Sequence, residues 1–538
     1  MYMTQGLLRA SKLQPNTPAL VSAKSSFTWS EFKIRVASLA GGLKNLGLKT
    51  EDRVAMLSLN SHRYAEFYYG VFWAGGNVVP MNIRWSISEH IYAINDSEAR
   101  FIIVDDNFKD IGKSLTEACA SLNCIIHASD NRVAGEMINY EDIIENSLPV
   151  EDSNRSGEDL AGIFYTGGTT GFPKGVVHEI GTFSSYFIEQ VSFRYGLEPP
   201  TQIEEYRELL TEINGSVVTL PACPLMHETG SWLGCFLPML SGGSIVMSSS
   251  RGFNPDVCLN LVEQYRVTDL VFTGDAFAKP VLQSLDFASK RDDPYDLSSL
   301  NQIVSSGVTW SPKVKRSLSN YCDANMTDKV MAVEGVLGIS ASRRETPDSG
   351  VGPSRVDLVE GALLLSESGK VLNPKEEGVA RVATNSLVPI RYWNDQEKSK
   401  VTFLEIDGVC YSAFGEYVSV NADGSFVLLG RDEVSIKTAD GKIFPGEIEE
   451  IIKQNKGVAE CMVDGPSDGE DLEKIVALIA YEEESSIDES TIQEFVKEQL
   501  ASIKVPDRML KVVEVRRSPA GTGDYRWAKE TAMKRIQK

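Results

Sequence analysis

The sequence predicts an α/β protein with a large N-terminal domain and a smaller C-terminal one. Short apolar runs that are typical of buried strands, such as 53–57 and 101–105, alternate with helical patterns such as 63–75. This alternation is typical of a doubly wound parallel sheet. The length of 538 residues exceeds the usual size of one hydrophobic core, so at least two domains are expected.

The first long helix is predicted from its N-terminal signal. Thr28 and Glu31 form the two ends of a capping box, in which each side chain bonds the other's backbone N–H group. Apolar residues then follow at intervals of three and four, at Phe32, Val36, Leu39, Leu43 and Leu46. This spacing predicts an amphipathic helix.

Composition excludes several classes of partner. The formal net charge of −22 argues against binding to nucleic acid or to an anionic membrane surface. The same field repels an anionic nucleotide, so a nucleotide site in this chain has to supply its own local donors. Apolar content of 42% and charged content of 24% are ordinary for a globular protein.

The sequence also predicts a cellular location. None of the eight cysteines forms a CxxC pair, and reduced thiols are the simplest interpretation. Residues 1–6 lack a basic segment followed by an apolar stretch, and no apolar run is long enough to span a bilayer. We therefore expect a cytoplasmic protein without a membrane span.

A loop rich in glycine and hydroxyl groups is the most informative segment. It follows the apolar run 160–165 and consists of Thr166, Gly167, Gly168, Thr169, Thr170, Gly171, Phe172, Pro173 and Lys174. Glycines allow backbone N–H groups to turn toward one point, and the threonine hydroxyls and the ammonium add donors, which suits phosphate. The spacing differs from that of a Walker P-loop, and a solvent-exposed loop is the alternative interpretation.

This loop closely resembles the phosphate loop of the adenylate-forming superfamily, which comprises acyl-CoA synthetases, luciferases and peptide-synthetase adenylation domains. Residues 224–227 match the superfamily's Pro-Leu-x-His element beside the acyl carboxylate, although a lone His such as His227 is more often a core residue. The segments 274–276 and 298–300 narrow the resemblance to bacterial long-chain-fatty-acid and steroid-type CoA ligases.

The resemblance implies a role for each candidate site residue. It implies that ATP is held by Thr166, Gly167, Gly168, Thr169, Thr170, Gly171 and Lys174 at the phosphates, by Ser306 and Gly307 at the adenine, and by Glu416 and Arg431 at the ribose. It implies that Mg²⁺ is bound by Thr166 and Glu334, and that His227, Glu334, Lys437 and Thr522 are the catalytic positions. CoA is the implied second substrate.

The resemblance also implies the domain organisation. Residues 430–437 match the hinge motif, with Glu433 at the hinge position, so we expect an N-terminal AMP- and acyl-binding domain over 1–430. The implied fold of that domain combines doubly wound sheets with a distorted β-barrel. Residues 431–538 are expected to form a small, mobile α+β lid, and an independent binding module is the alternative.

Three positions depart from the superfamily pattern. Val333 lacks the hydroxyl that normally precedes the metal-binding Glu, and Met331 replaces a Gly. Glu416 replaces an Asp and is one methylene longer. Thr522 stands where the relatives have a catalytic Lys, and loss of one preorganised contact of this kind costs about a hundred- to a thousandfold in rate. Lys504 and Arg526 are the first candidates for a cation that replaces this Lys.

Three functions follow. The first is an ATP-dependent acyl-CoA ligase that activates a fatty, aryl or steroid side-chain carboxylate through an acyl-adenylate, with adenylation impaired. The second is a catalytically silent relative that binds nucleotide or acyl-CoA as the partner of an active paralogue. The third is a repurposed enzyme that acts on a pre-formed acyl-CoA, with His227 as a base. The expected partner is a small-molecule carboxylate or acyl-CoA, and a homodimer is left open.

Overall fold

The fold is given by a computed structural model. It describes residues 2–132, 135, 137–166, 172–200, 205, 217–248, 252–308, 310–342, 355–423, 425–438, 441–466, 473–482, 485, 487–517 and 523–536. Every structural statement below refers to these residues.

The strands, in chain order, are β1 (Pro18–Ser22), β2 (Ser26–Thr28), β3 (Arg53–Leu57), β4 (Asn77–Pro80), β5 (Phe101–Val104), β6 (Cys124–His127), β7 (Ile138–Asn139), β8 (Leu160–Thr166), β9 (Lys174–Glu179), β10 (Val218–Pro221), β11 (Ser244–Met247), β12 (Asp269–Phe272), β13 (Gln302–Ser306), β14 (Asn325–Ala332), β15 (Gly335–Ser342), β16 (Arg355–Leu358), β17 (Leu363–Leu365), β18 (Gly378–Ala383), β19 (Arg391–Tyr392), β20 (Phe403–Ile406), β21 (Val409–Ser412), β22 (Glu416–Val420), β23 (Phe426–Arg431), β24 (Ile436–Thr438), β25 (Gly441–Ile443), β26 (Val458–Asp464), β27 (Val476–Tyr481) and β28 (Arg508–Val512).

The α-helices are Thr4–Leu13, Trp29–Asn45, His62–Ala74, Ile87–Ser97, Lys109–Ala118, Tyr140–Asn146, Ile180–Arg194, Leu237–Leu240, Pro255–Gln264, Gly274–Lys290, Pro312–Leu318, Gln396–Thr402, Pro445–Ile452, Glu489–Gln499 and Tyr525–Ile536. A π-helix covers Thr229–Phe236, and short 3₁₀ helices cover Asp432–Val434 and Ser502–Lys504.

Two large sheets form the body of the molecule. The first has the order β17-β18-β22-β23-β16-β15-β14-β13-β12-β10-β11-β1-β2, and its strands β10 to β14 pair in parallel before antiparallel strands take over. The second has the order β19-β9-β8-β4-β3-β5-β6-β7, with parallel pairing from β8 to β7. The predicted α/β class is confirmed, whereas closure of the antiparallel strands into a barrel stays a prediction.

The main hydrophobic core unites the two sheets. Phe183 and Phe187 of the helix Ile180–Arg194 pack on Trp232 and Phe236 of the π-helix, with ring centroids 5.5 to 6.0 Å apart. The same cluster includes Val54 and Met56 from the second sheet and Leu270 from the first. A buried π-helix often marks a functional position, and this one begins two residues after His227.

The capping box is present at the start of the helix Trp29–Asn45. The Thr28 backbone N–H donates to Glu31 Oε2 over 2.8 Å, and the Glu31 N–H donates to Thr28 Oγ1 over 3.3 Å. Phe32, Val36 and Leu39 are buried along one stripe, as the spacing predicts.

The C-terminal part has its own core. The sheet β26-β27-β28 and the hairpin β24-β25 pack with the helices Pro445–Ile452 and Glu489–Gln499 around residues such as Ile448 and Cys461. The helix Tyr525–Ile536 packs in a second cluster, with Leu478. The ordering of strands and helices agrees with an α+β lid after residue 431, and the domain boundary stays a prediction. Within the described ranges, no helix has the length and apolar character that crossing a bilayer requires.

Candidate nucleotide and acyl site

A cavity of about 420 Å³ lies where the carboxyl ends of the parallel strands meet the C-terminal part. Thr273, Gly307 and Ala332 line it from the ends of β12, β13 and β14, and Glu447 and Tyr525 line it from the C-terminal helices. Ligands of open α/β sheets bind beyond the carboxyl ends of the strands. The cavity is therefore where the fold places a ligand.

The loops after β12 and β13 are fixed to each other. The Gly274 backbone N–H donates to Ser305 Oγ over 2.9 Å. Gly307 has a φ of +83°, which a residue with a side chain adopts only under strain. The hydroxyls of Ser306 and Thr273 are buried and have no hydrogen-bond partner among the described residues. Two polar groups beside the cavity can therefore be satisfied by a ligand.

Glu416 and Arg431 form the predicted ribose pair. They lie directly opposite each other on β22 and β23, and Arg431 Nε donates to Glu416 Oε1 over 2.7 Å. Burial opposes the charge on Arg431, but the carboxylates of Glu416 and Glu334 outweigh it and raise the guanidinium pKa. Both side chains line the cavity, so the longer Glu416 arm still reaches the site.

Glu334 is buried at the turn between β14 and β15. Its Oε1 atom accepts a hydrogen bond from the Tyr392 hydroxyl over 3.1 Å, whereas Oε2 is buried without a partner among the described residues. Burial raises the pKa of Glu334, and the positive charge of Arg431 partly offsets this. Glu228 is a neighbouring carboxyl whose pKa burial also raises.

The carboxylate geometry fits a magnesium ion. Mg²⁺ prefers oxygen ligands and is usually held by one or two carboxylates together with substrate phosphates. Glu334 Oε2 is an unsatisfied carboxylate oxygen of this kind, and Thr166 supplies a second oxygen on the cavity wall. The described residues contain no cluster of three acidic, sulfur or imidazole ligands.

His178 connects the strand after the phosphate loop to the Glu334 turn. Its Nε2 atom lies 2.8 Å from the Val333 carbonyl oxygen, which can only accept, so the proton is on Nε2. Burial lowers the pKa of His178 to about 4, although the bond to Val333 opposes the shift. The neutral imidazole thus fixes the backbone next to Glu334.

His227 lines the cavity, in agreement with its predicted position. Burial lowers the pKa of this imidazole to about 4, so it is neutral at physiological pH. Its Nε2 atom is buried without a partner among the described residues. The ring can therefore bond a ligand, but it is too weak a base to hold a proton near neutrality.

The phosphate loop is described only at its ends. Gly167, Gly168, Thr169, Thr170 and Gly171 lie outside the described residues. Thr166 and Lys174 pair as the last residue of β8 and the first residue of β9, so the two described ends of the predicted phosphate loop lie side by side. Thr166 lines the cavity, whereas Lys174 Nζ lies 3.3 Å from Glu433 Oε1 at the hinge.

The structure describes one of the two predicted catalytic positions in the C-terminal part. Lys437 is exposed on β24 and does not line the cavity; its backbone N–H donates to Glu473 Oε2 over 2.9 Å. Thr522 lies outside the described residues, but Arg517 and Gly523, on either side of that segment, are joined by a β-bridge and both line the cavity.

Lys504 and Arg526, the two candidate replacements for the missing ammonium, do not line the cavity. Lys504 is paired with Glu447, and Arg526 is an exposed residue that does not line the cavity. The positively charged residues that do line it, among those described, are Lys329, Arg431, Lys453 and Arg517.

Several site residues were missed by sequence reasoning. Glu228 follows His227 directly, so the motif itself could have indicated it. Tyr392 reaches Glu334 from 58 residues away along the chain, and Lys329 lies in a strand that otherwise resembles core sequence. Only the folded structure brings these residues together.

A second cavity of about 500 Å³ adjoins the first. Asp275, Ala276 and Arg517 line both cavities. Pro224 and Met226 face the second cavity and His227 faces the first, so the 224–227 turn separates them. Arg84 and Lys279 add positive charge to the second cavity.

Comparisons with known proteins agree with this geometry. The family model described as AMP-binding enzyme matches residues 7–388, and the model of the AMP-binding enzyme C-terminal domain matches residues 447–521. The chain is 29% identical over 530 residues to a 3-oxocholest-4-en-26-oate–CoA ligase of Rhodococcus rhodochrous, covering 97% of this chain and 94% of that protein. It is 28% identical to a medium/long-chain-fatty-acid–CoA/3-oxocholest-4-en-26-oate–CoA ligase of Mycolicibacterium smegmatis, with the same shares of 97% and 94%.

Solved structures share the fold over the whole chain. An anthranilate CoA ligase, AuaEII, in complex with anthranoyl-AMP superimposes with a TM-score of 0.84 at 22% identity, covering 100% of this chain and 98% of that one. A benzoate CoA ligase from Burkholderia xenovorans LB400 gives 0.80 at 19% identity, covering 98% and 100%. Together with the match over 7–388, these findings show that the chain belongs to the family of AMP-binding enzymes.

Proposed function

We propose that this protein is an ATP-dependent CoA ligase that activates a fatty or steroid side-chain carboxylic acid through an acyl-adenylate, with a slowed first half-reaction. The observation that carries the proposal is the convergence of the Glu416–Arg431 pair, Gly307 and His227 on one cavity, with Glu334 directly after the lining residue Val333. The substrates named for the relatives from Rhodococcus and Mycolicibacterium support the choice of acid.

In the first half-reaction, a carboxylate oxygen of the acid attacks the α-phosphorus of ATP and pyrophosphate leaves. The Gly307 loop and the Glu416–Arg431 pair orient the nucleoside. Binding in this orientation lowers the entropic part of the activation barrier. Glu334 and Thr166 would hold Mg²⁺, which when bound neutralises phosphate charge. Neutral His227 can bond the acid without adding charge.

In the second half-reaction, the CoA sulfur attacks the acyl carbonyl carbon and AMP leaves. We assign the CoA approach to the second cavity, because Arg84 leaves its lining with a net positive charge after Lys279 and Arg517 pair with Asp275 and Glu460. The 224–227 turn also borders both cavities. The low pKa of His227 argues against this residue as the base that takes the thiol proton.

The two half-reactions are tested separately. Carboxylate-dependent ATP–pyrophosphate exchange with medium-chain, long-chain and steroid acids measures the first, and a supplied acyl-adenylate plus CoA measures the second. We expect measurable but slow exchange and faster thioester formation. Glu334→Gln should abolish the exchange, and Glu397→Gln, an exposed carboxylate far from the cavity lining, is the matched control.

A silent or repurposed relative is the second candidate, favoured by Val333 and Thr522, which lack the hydroxyl and the ammonium of the superfamily pattern. A silent protein would bind ATP or acyl-CoA and convert neither. A repurposed enzyme would turn over acyl-CoA without ATP. Exchange above the rate of the Glu334→Gln variant would exclude both.

A further inference from the structure

Lys329 is an unusual side chain in the main cavity. It belongs to β14, between Ser306 of β13 and Ile339 of β15 in the register, and it lines the cavity. Its Nζ atom donates to Gln190 Oε1 over 3.1 Å, and none of the described residues supplies it with a carboxylate partner. The side chain is partly buried, and lysines that lose contact with water usually gain an opposite charge.

The neighbouring charges do not compensate for this ammonium. Arg194, on the same helix as Gln190, is paired with Asp269 over 2.7 Å. Burial, with the charge of Arg194 as a second cause, lowers the pKa of Lys329 to about 8. Asp328 is its neighbour in sequence and also lines the cavity, but alternation along the strand points the two side chains to opposite faces, and Asp328 accepts from the Trp310 N–H.

The position of Lys329 separates it from the nucleotide. β14 ends at Ala332, three residues further on, and a strand rises by about 3.3 Å per residue. The ammonium is thus attached roughly 10 Å back along the sheet from the strand end where the reaction is placed. Ile339, directly opposite in the register, is 40% exposed and does not line the cavity, so solvent borders the sheet beside Lys329.

We propose that Lys329, oriented by Gln190, binds a second carboxylate at the far end of the acid, so that the preferred substrates are dicarboxylic acids. This inference rests on the proposed function and names the substrate class of the same site. The tail of the acid is the part of the reactants that extends away from the strand ends, and an anion there supplies the charge partner that the protein lacks. A charge-assisted hydrogen bond of this kind is worth about 10- to 100-fold in affinity.

The test compares two sulfamoyl-adenosine analogues of the acyl-adenylate with equal chain length, one ending in a carboxylate and one in a methyl group. Their chain lengths should bracket ~10 Å between the two ends. Calorimetry measures binding without requiring catalysis. We expect the wild-type protein to bind the carboxylate-terminated analogue about 10-fold or more tightly.

Variants of Lys329 test whether this side chain causes the preference for the carboxylate-terminated analogue. Lys329→Met keeps the length of the side chain and should remove the preference for the carboxylate-terminated analogue, while the methyl-terminated analogue still binds. Lys329→Arg should keep part of the preference. Lys113→Met, at an exposed helix position, is the matched control and should behave like the wild type. Circular dichroism verifies that each variant is folded.

The outcomes separate this inference from the proposed function. If both analogues bind equally, or if the preference persists in Lys329→Met, the role of Lys329 is wrong while the CoA ligase proposal stands. If neither analogue binds to the wild-type protein, the proposed function is wrong and the inference falls with it.

Discussion

Thr522 is the position at which the chain differs most in chemistry from the superfamily pattern. It directly precedes Gly523, which lines the cavity and is bridged to Arg517. The two described residues that flank the segment 518–522 thus both line the cavity. The departure from the superfamily pattern at 522 is the loss of a charged side chain.

Restoring that charge gives the first prediction. Thr522→Lys should raise the rate of ATP–pyrophosphate exchange by about a hundred- to a thousandfold, because a preorganised cation stabilises the charge that develops on the α-phosphate. Thioester formation from a supplied acyl-adenylate should change little. Thr522→Gln adds length without charge and serves as the control; equal rates for the Lys and Gln variants would contradict the prediction.

His178 gives a prediction on stability. The pKa of His178 is about 4 in the folded protein, below the ordinary histidine value of 6.5, so the unfolded state binds the proton more tightly. The folded protein therefore loses stability as the pH falls from about 6.5 toward 4. The loss amounts to at most about 3 kcal/mol, since each pKa unit is about 1.4 kcal/mol. In His178→Phe this part of the pH dependence should be absent.

Urea unfolding at several pH values measures the effect. Phe183→Leu, which changes a ring packed against His178 and carries no titratable group, should lower stability equally at every pH. The same slope in His178→Phe as in the wild type would show that other groups cause the acid sensitivity.

Some residues of the site are predictable from the sequence, and others are not. His227, Glu416 and Arg431 were predicted from motifs, and the structure brings all of them to one cavity. Tyr392 and Lys329 have no local signal, because their importance depends on which distant side chain or cavity they face. Contacts of this kind are created by the tertiary fold.

At the scale of elements, a salt bridge joins the predicted phosphate loop to the predicted hinge. Glu433 lies in the 3₁₀ helix Asp432–Val434 and pairs with Lys174, the predicted phosphate-binding residue, over 3.3 Å. Under the proposed function, this carboxylate competes with the phosphates of ATP for the Lys174 ammonium. We therefore expect Lys174 to change partners when ATP binds.

Neutralising Glu433 should strengthen ATP binding. In Glu433→Gln we expect a lower Kd for MgATP, because Lys174 is released and a negative charge is removed beside the phosphates. The unfolding free energy should fall by less than about 1 kcal/mol, as is usual for a partly exposed pair. Calorimetry and urea unfolding measure both quantities.

Glu397→Gln breaks a comparable pair, with Lys400, on an exposed helix and is the control. If Glu433→Gln binds MgATP no better than Glu397→Gln, the competition between carboxylate and phosphate is refuted.

Secondary structure was the most predictable level. The capping box at Thr28 and the strand β3 lie where local patterns predict them, because their causes are local: a cap and an apolar run. The order of the strands in the sheets, such as β11 beside β1, joins distant segments and follows from packing. The π-helix after His227 likewise has no sequence pattern that we recognised.

At the scale of the whole molecule, the net charge of −22 opposes the approach of ATP. Salt screens this repulsion over a Debye length of about 10 Å at 0.1 M, while the enclosed cations at the cavity are screened less. The association rate of a fluorescent ATP analogue should therefore rise two- to threefold, roughly, between low and moderate ionic strength. Stopped-flow mixing measures it.

An uncharged osmolyte at equal osmolarity controls for effects other than screening. A rate that falls steadily with added salt would mean that local cations, and not the overall charge, govern the approach of the nucleotide.

The β-bridge between Arg517 and Gly523 has an evolutionary consequence. Because a β-bridge is made by backbone atoms, this contact does not require a particular side chain at position 522. Under the proposed function, a single substitution there is then enough for a descendant of this chain to regain fast adenylation.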